Sequence, residues 1–260
     1  MIASERFQKI IEAVNEREIV TTKEMAEFLN VTETTIRRDC EELERQGELI
    51  RVHGGAKRVE HKEILSNLDE KVMKDRTERY EEKDMVCRKA ASFVRDGDCV
   101  FLDGGTSIVP MLKYLKGKRL KIVTHSMLIA NAFENTDSEL FVIGGKYIPE
   151  YGMSVGPITQ TNLEKFNFDC AFLSCAGADM ERRMIYTAEM DTMAVKQLVM
   201  RLAVKNFLLL DSSKLHVKGF YSFISSDDFD AVVCNDDPAI NHEELAENFI
   251  LLEKNDDFTN

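Results

Sequence analysis

The chain has 260 residues, 44% hydrophobic and 31% charged, with 4 Pro and no biased or repeated tract, which excludes extended disorder and suits a small domain joined to a larger one. Apolar runs such as 207–210 are too short to cross a bilayer, and the start Met1-Ile2-Ala3-Ser4-Glu5-Arg6 lacks the apolar stretch of a signal peptide, so a cytoplasmic protein with no membrane partner is expected. A net charge of −12 excludes an all-basic surface, yet residues 1–58 hold 10 basic and 12 acidic side chains, a balance that permits a local patch able to grip phosphate.

In chain order, Phe7, Ile10, Ile11 and Val14 place one apolar stripe on a first helix, with Ser4 in position to cap it. Thr21 and Glu24 fit a capping box ahead of a second helix whose apolar positions are Met25, Phe28 and Leu29, ending at Asn30. Thr32 can cap a third helix with Ile36, Cys40 and Leu43 inward and Gly47 as its stop. Its outward N-terminal half carries Thr34, Thr35, Arg37 and Arg38, and Glu41, Glu42 and Glu44 follow. That polarity suits entry into a major groove N-terminus first, where guanidinium groups meet guanine edges or phosphates. The plainer reading is a solvated helix on which Arg37 and Arg38 pair with Glu33, Asp39 and Glu41. What favours DNA is the next stretch, Leu49 to Val59, which reads as two strands around Gly54-Gly55 decorated by Arg51, His53, Lys57 and Arg58. A basic hairpin after a recognition helix is a wing that straddles the DNA backbone.

Residues 6–56, above all Thr35-Ile36-Arg37-Arg38-Asp39 and Leu49-Ile50-Arg51-Val52-His53-Gly54-Gly55-Ala56, resemble the DeoR family of bacterial transcription regulators. The resemblance implies that Thr34, Thr35, Arg37 and Arg38 read or grip operator DNA and that the hairpin is the wing. A charge-dense stretch then spans 60–82, with both signs alternating, and is expected to be a solvated helical connector. The expected organisation is a winged helix-turn-helix domain over 1–58, a charged helical linker over 59–82 and an α/β effector domain over 83–260.

From Cys99 onward, apolar runs end repeatedly in small and polar residues: 100–102 before Asp103-Gly104-Gly105-Thr106-Ser107, 122–123 before Thr124-His125-Ser126, 141–143 before Gly144-Gly145, 171–173 before Ser174-Cys175-Ala176-Gly177, and 207–210 before Asp211-Ser212-Ser213-Lys214. With helical segments near 108–116, 127–134, 157–165 and 190–204, the alternation predicts a mostly parallel sheet covered by helices. Ligands of such sheets settle at the carboxyl ends of the strands. There Gly104, Gly105, Gly144, Gly145 and Gly177 allow close backbone approach, Thr106, Ser107 and Ser126 offer hydroxyls, and Asp103, His125 and Lys214 offer charge or hydrogen bonds. The chemistry suggests an anion, phosphate foremost.

This region resembles the sugar-phosphate sensor of the same family, a domain related in fold to ribose-5-phosphate isomerase, with His125 in place of the family's usual Asn. Glu189, Asp191 and Lys196 match its pattern only approximately. The resemblance implies a repressor of a sugar-utilisation operon, a homodimer or tetramer controlled by a phosphorylated sugar, and not an enzyme. One alternative is retained isomerase or deaminase activity, with Asp103, Glu189 or Asp191 as base and Lys214 as electrostatic partner; another is a DNA-binding scaffold without a small ligand. The six cysteines, at 40, 87, 99, 170, 175 and 234, show no metal-ligand spacing, so buried thiols are expected, with no metal and no cofactor.

Overall fold

The computed structural model describes residues 3–17, 19–45, 49–52, 54–58, 64–65, 79–134, 137–238 and 240–253, and the chain divides into two units, Met1–His61 and Lys62–Asn260.

The first unit runs α1 (Ala3–Arg17), β1 (Ile19–Thr21), α2 (Thr22–Leu29), α3 (Glu33–Arg45), β2 (Leu49–Val52) and β3 (Gly55–Arg58). Its core is the predicted one: Ile10 and Val14 of α1, Met25 and Leu29 of α2, and Ile36, Cys40 and Leu43 of α3 are buried together, joined by Val20 and Leu49. The capping box forms, with the Glu24 amide donating to Thr21 Oγ1 at 3.2 Å and the Thr21 amide donating to Glu24 Oε2 at 3.0 Å. Asn30 closes α2 in the left-handed region, at φ 53°, as a short polar side chain permits.

Three expectations are corrected. Ser4 falls inside α1, which begins at Ala3, rather than ahead of it. Phe28 does not face the core: the inward stripe of α2 is Thr22, Met25, Ala26 and Leu29, and Phe28 is 70% exposed. The β-branched run Ile19-Val20-Thr21, not anticipated as a strand, pairs antiparallel with β3 in a sheet of order β1-β3-β2. Gly54 turns the wing at φ 83°, while Gly55 already belongs to β3, where a Cβ would collide with the Val20 carbonyl. Glycine is therefore needed there for the two strands to meet. Gly47 and His53 lie outside the described residues.

The second unit opens on β4 (Ile64–Leu65) and continues through α4 (Tyr80–Ala91), β5 (Cys99–Leu102), α5 (Met111–Tyr114), β6 (Lys121–Thr124), α6 (Met127–Ala132), β7 (Glu139–Val142), β8 (Lys146–Ile148), β9 (Met153–Val155), α7 (Pro157–Leu163) and β10 (Phe168–Leu173). It ends with β11 (Gly177–Asp179), β12 (Met184–Thr187), α8 (Met190–Leu202), β13 (Ala203–Leu209), β14 (Lys218–Gly219), β15 (Tyr221–Ser225), β16 (Ala231–Asn235) and β17 (Phe249–Leu252). Among the described residues the main sheet has seven strands in the order β17-β16-β13-β10-β5-β6-β7, and every pairing is parallel. The five predicted runs are β5, β6, β7, β10 and β13; β16 and β17 extend the sheet beyond them.

Neighbours along each strand face opposite layers. Leu102 and Phe172 pack with Val86 of α4 and Met111 of α5, whereas Phe101 and Leu173 pack with Leu163 of α7 and Val195 and Val199 of α8. Most of the expected linker over 59–82 lies outside the described residues. Within it, Ile64–Leu65 is not helical but pairs in parallel with Lys218–Gly219, and α4 starts at Tyr80, ahead of the expected domain start at 83.

Candidate DNA-binding face and sensor site

Helix α3 is anchored by the acid of its own motif. Asp39 is buried and accepts a two-pronged bond from Arg6 of α1, at 2.6 Å from Nε and 2.9 Å from Nη2, the strong geometry of a planar guanidinium on a carboxylate. Asp39 is thus committed to the core side and unavailable to Arg37 or Arg38. At the helix start Thr32 Oγ1 accepts the Thr35 amide at 3.2 Å and the two hydroxyls lie 2.9 Å apart, so both threonines are engaged in capping. Thr34, Arg37 and Arg38 are left outward and exposed. Arg37 reaches Glu33 at 3.4 Å, a solvated i,i+4 contact of little energy, and among the described residues Arg38 makes no ion pair.

The wing docks on the same helix. The Arg51 amide donates to Glu44 Oε1 at 2.9 Å, and its guanidinium stands 3.8 Å from Glu44 and 4.0 Å from Glu41. A groove lined by Thr22, Arg37, Arg51, Val52, Gly54 and Gly55 joins helix and wing. Lys57 is half-buried on β3. The Arg58 backbone ends that strand, and its side chain, like His53, lies outside the described residues.

In the second unit the strand ends build a closed polar centre. Asp103, following β5, is fully buried. Its Oδ2 accepts the Ser174 hydroxyl at 2.6 Å, the Ser174 amide at 2.9 Å and the ammonium of Lys196. Its Oδ1 faces His125 Nε2 at 3.2 Å, and His125 Nδ1 lies 2.8 Å from the Ser154 carbonyl. Lys196, itself buried, also donates to the Ser174 carbonyl at 2.9 Å. Burial alone would raise the pKa of Asp103, but the Lys196 charge and the His125 bond outweigh it and hold the carboxyl well below the usual carboxylate range. A buried charge with three bonds on Oδ2 and one on Oδ1 is an architectural hub.

Around this centre the predicted residues separate by role. Gly105 lets the Ser174 side chain approach, Gly104 makes room for Met153, Gly145 for Thr159, and Gly177 for the Val217 backbone. The Gly144 carbonyl accepts the Thr159 hydroxyl at 3.1 Å. Ser126 caps α6, accepting the Leu128 amide at 3.2 Å. Ser107 is buried, its carbonyl taking the Cys87 thiol at 2.9 Å. Thr106 accepts a bond from Lys83 Nζ at 3.3 Å, a buried lysine that sequence reasoning passed over. Lys214 is half-buried on the short turn after β13, where the Ser213 amide bonds Asp211 at 3.2 Å.

A cavity of about 40 Å³ opens beside the centre, lined among others by Tyr151, Ser174, Thr187, Glu189, Thr192 and Lys196. Burial, then Asp191, raise the pKa of Glu189, while Asp191 itself pairs with Lys146 at 3.0 Å. Ser174 was expected only as a strand-end residue and Lys196 only as an approximate match to the sensor pattern, and neither was expected to bond Asp103.

Among the described residues no group of three His, Cys, Asp or Glu is placed to hold a metal, all six thiols are free, and no helix is long and apolar enough to cross a membrane.

Comparison with known proteins adds the family. Residues 6–62 match the DeoR-like helix-turn-helix domain and residues 78–236 the DeoR C terminal sensor domain. An uncharacterized HTH-type transcriptional regulator of Bacillus subtilis, YulB, is 32% identical over 242 residues, 92% of each chain. A lactose phosphotransferase system repressor of Streptococcus mutans is 30% identical over 245 residues, 91% of this chain and 94% of that one. Among solved structures, ribose 5-phosphate isomerase A of Methanocaldococcus jannaschii aligns with 53% of this chain and 55% of its own, at 16% identity and a TM-score of 0.39. On the two domain matches and the near full-length relatives, the chain belongs to the DeoR family of transcription regulators.

Proposed function

We propose that this chain is a transcriptional repressor that holds operator DNA with α3 and its wing and loosens its hold when a phosphorylated sugar occupies the sensor unit. The observation that carries the DNA half is the shared groove, in which Arg37 of α3 and Arg51 of the wing stand together with only long, solvated acid contacts. Weakly held guanidinium groups give up little when they turn to phosphate or guanine. Thr34, Arg37 and Arg38 contact the duplex in this reading, Thr32 and Thr35 fix the start of the helix beside it, and Arg51, His53, Lys57 and Arg58 grip its backbone.

The effector half is supported by the loops after β5 and β13 and by relatives named lactose phosphotransferase system repressors. Thr106, with Lys83 bonded to it, and Lys214 are the phosphate ligands of this proposal. Asp103, Lys196 and His125 shape the floor rather than touch the sugar, because their polar atoms are spent on one another. The same bonding disfavours Asp103 as the base of isomerase or deaminase chemistry, because a carboxylate held by a lysine, a serine and a histidine is poorly placed to take a substrate proton. A homodimer or tetramer fits the need to hold two half-sites.

The test is a thermal-shift screen of pentose and hexose phosphates followed by DNA titration with the hit. A sugar phosphate that raises the melting temperature and lowers affinity for a duplex from beside the chain's own coding region is the expected result. Lys214→Ala should lose the shift and keep DNA binding. A variant with the full shift, or a screen with no hit, overturns the effector half.

A further inference from the structure

The winged helix-turn-helix unit carries a second groove that the recognition helix does not line. Its apolar floor is Val20 of β1 and Met25 of α2, and Phe28 stands at its side, 70% exposed. The cavity measures about 230 Å³, and the exposed Phe28 ring continues its apolar floor to the surface. The two banks are oppositely charged. On α1, Lys9 and Arg17 lie eight residues apart on one side of the groove; on α2, Glu24, whose Oε2 is held by the Thr21 cap, lines the other, and exposed Glu27, outside the groove's lining, precedes Phe28 on the same short helix.

A basic bank and an acidic bank flanking one apolar floor are complementary to themselves under a two-fold rotation. We propose that this groove is the contact between the DNA-binding units of two copies of the chain, each Phe28 entering the partner's groove and each α2 acidic bank meeting the partner's α1 basic bank. The proposal rests on the reading of this unit as a DNA binder. Its scale fits: a unit of this length has a radius of gyration of about 10 Å, so two in contact are centred roughly 25 Å apart, compatible with recognition helices one DNA turn apart, about 34 Å. The groove that contains Arg37 and Arg51 shares no lining residue with this one, so both can be occupied together.

Cross-linking of the full chain tests it. Phe28→Cys places a thiol at the groove, and Thr34→Cys places one on the DNA face as a control. Native thiols compete little: Cys40, Cys87, Cys170 and Cys234 are buried, and burial raises the pKa of the less enclosed Cys99 and Cys175, the latter to about 12. With a short bis-maleimide and a duplex from beside the coding region, Phe28→Cys should yield covalent dimer at least tenfold faster than Thr34→Cys. Adding Arg17→Glu should cut that yield at least fivefold, and Glu27→Lys on top should restore it. Lys9→Cys, on the opposite bank, serves as a second attachment point should Phe28→Cys alter folding. Equal yields at positions 28 and 34, or no rescue by the charge swap, overturn the contact. Anisotropy on the same samples shows whether DNA is bound, so a failure of the DNA-binding reading is seen separately.

Discussion

The charges of the sensor centre and those of the α3 face are arranged in opposite ways. Asp103 and Lys196 are buried, paired and surrounded by further donors and acceptors, whereas Arg37 and Arg38 are exposed on a helix whose buried ion pair, Asp39 with Arg6, points inward. Charges removed from water without partners cost several kcal/mol each, so the first arrangement holds the fold together. Charges left loosely held in water are worth little to stability and are free to meet a polyanion. The contrast separates the polar residues of a motif that serve the chain itself from those left free for a partner, even where they are adjacent, as Asp39 and Arg38 are.

The largest effect is expected from Lys196→Met, which strands the Asp103 carboxylate and should destabilise the second unit by about 3–5 kcal/mol in denaturant titrations. Asp103→Asn combined with Lys196→Met should cost less than the sum of the single changes; additivity would mean that the two groups do not act as a pair. Next is Asp39→Ala, which frees Arg6 and unties α3 from α1 at a cost of about 1.5–3 kcal/mol of stability in the first unit. Arg37→Ala and Arg38→Ala invert this pattern, with stability changed by less than about 0.5 kcal/mol and DNA affinity lowered by about 1–3 kcal/mol wherever the side chain pairs with a base.

Acid sharpens the same comparison. The Asp103 pKa is depressed in the folded chain, so its contribution is full above the ordinary value of 3.8 and is lost as pH falls below it toward the folded value. The wild-type second unit should lose stability steeply between about pH 4 and 2. Asp103→Asn should show a shallower slope in that window. Parallel slopes would remove Asp103 from the acid response.

Much of this was legible in the sequence because it rests on periodicity. The three helices, the wing and five of the sheet strands follow from apolar spacing and turn chemistry alone, and the Thr21–Glu24 capping box formed as its spacing required. What was not legible depends on distant partners. Phe28 has the same spacing as a core residue and is exposed because α2 packs through Met25 and Leu29. Ile19 to Thr21 is too short a run to announce a strand until β3 pairs with it. Lys196 becomes a partner of Asp103, 93 residues away in sequence, only once α8 packs on the sheet. Glycines that suggested a phosphate cradle, Gly145 and Gly177 among them, turn out to be where a side chain or backbone presses close. A lone glycine after a strand signals proximity without saying to what.

The account is tested most directly by measuring, on one set of proteins, both the denaturation midpoint and the affinity for a duplex from beside the coding region at fixed salt. Arg37→Ala and Arg38→Ala should keep the wild-type midpoint and bind at least several-fold more weakly. Wild-type affinity in both variants would contradict the assignment of the α3 face to DNA.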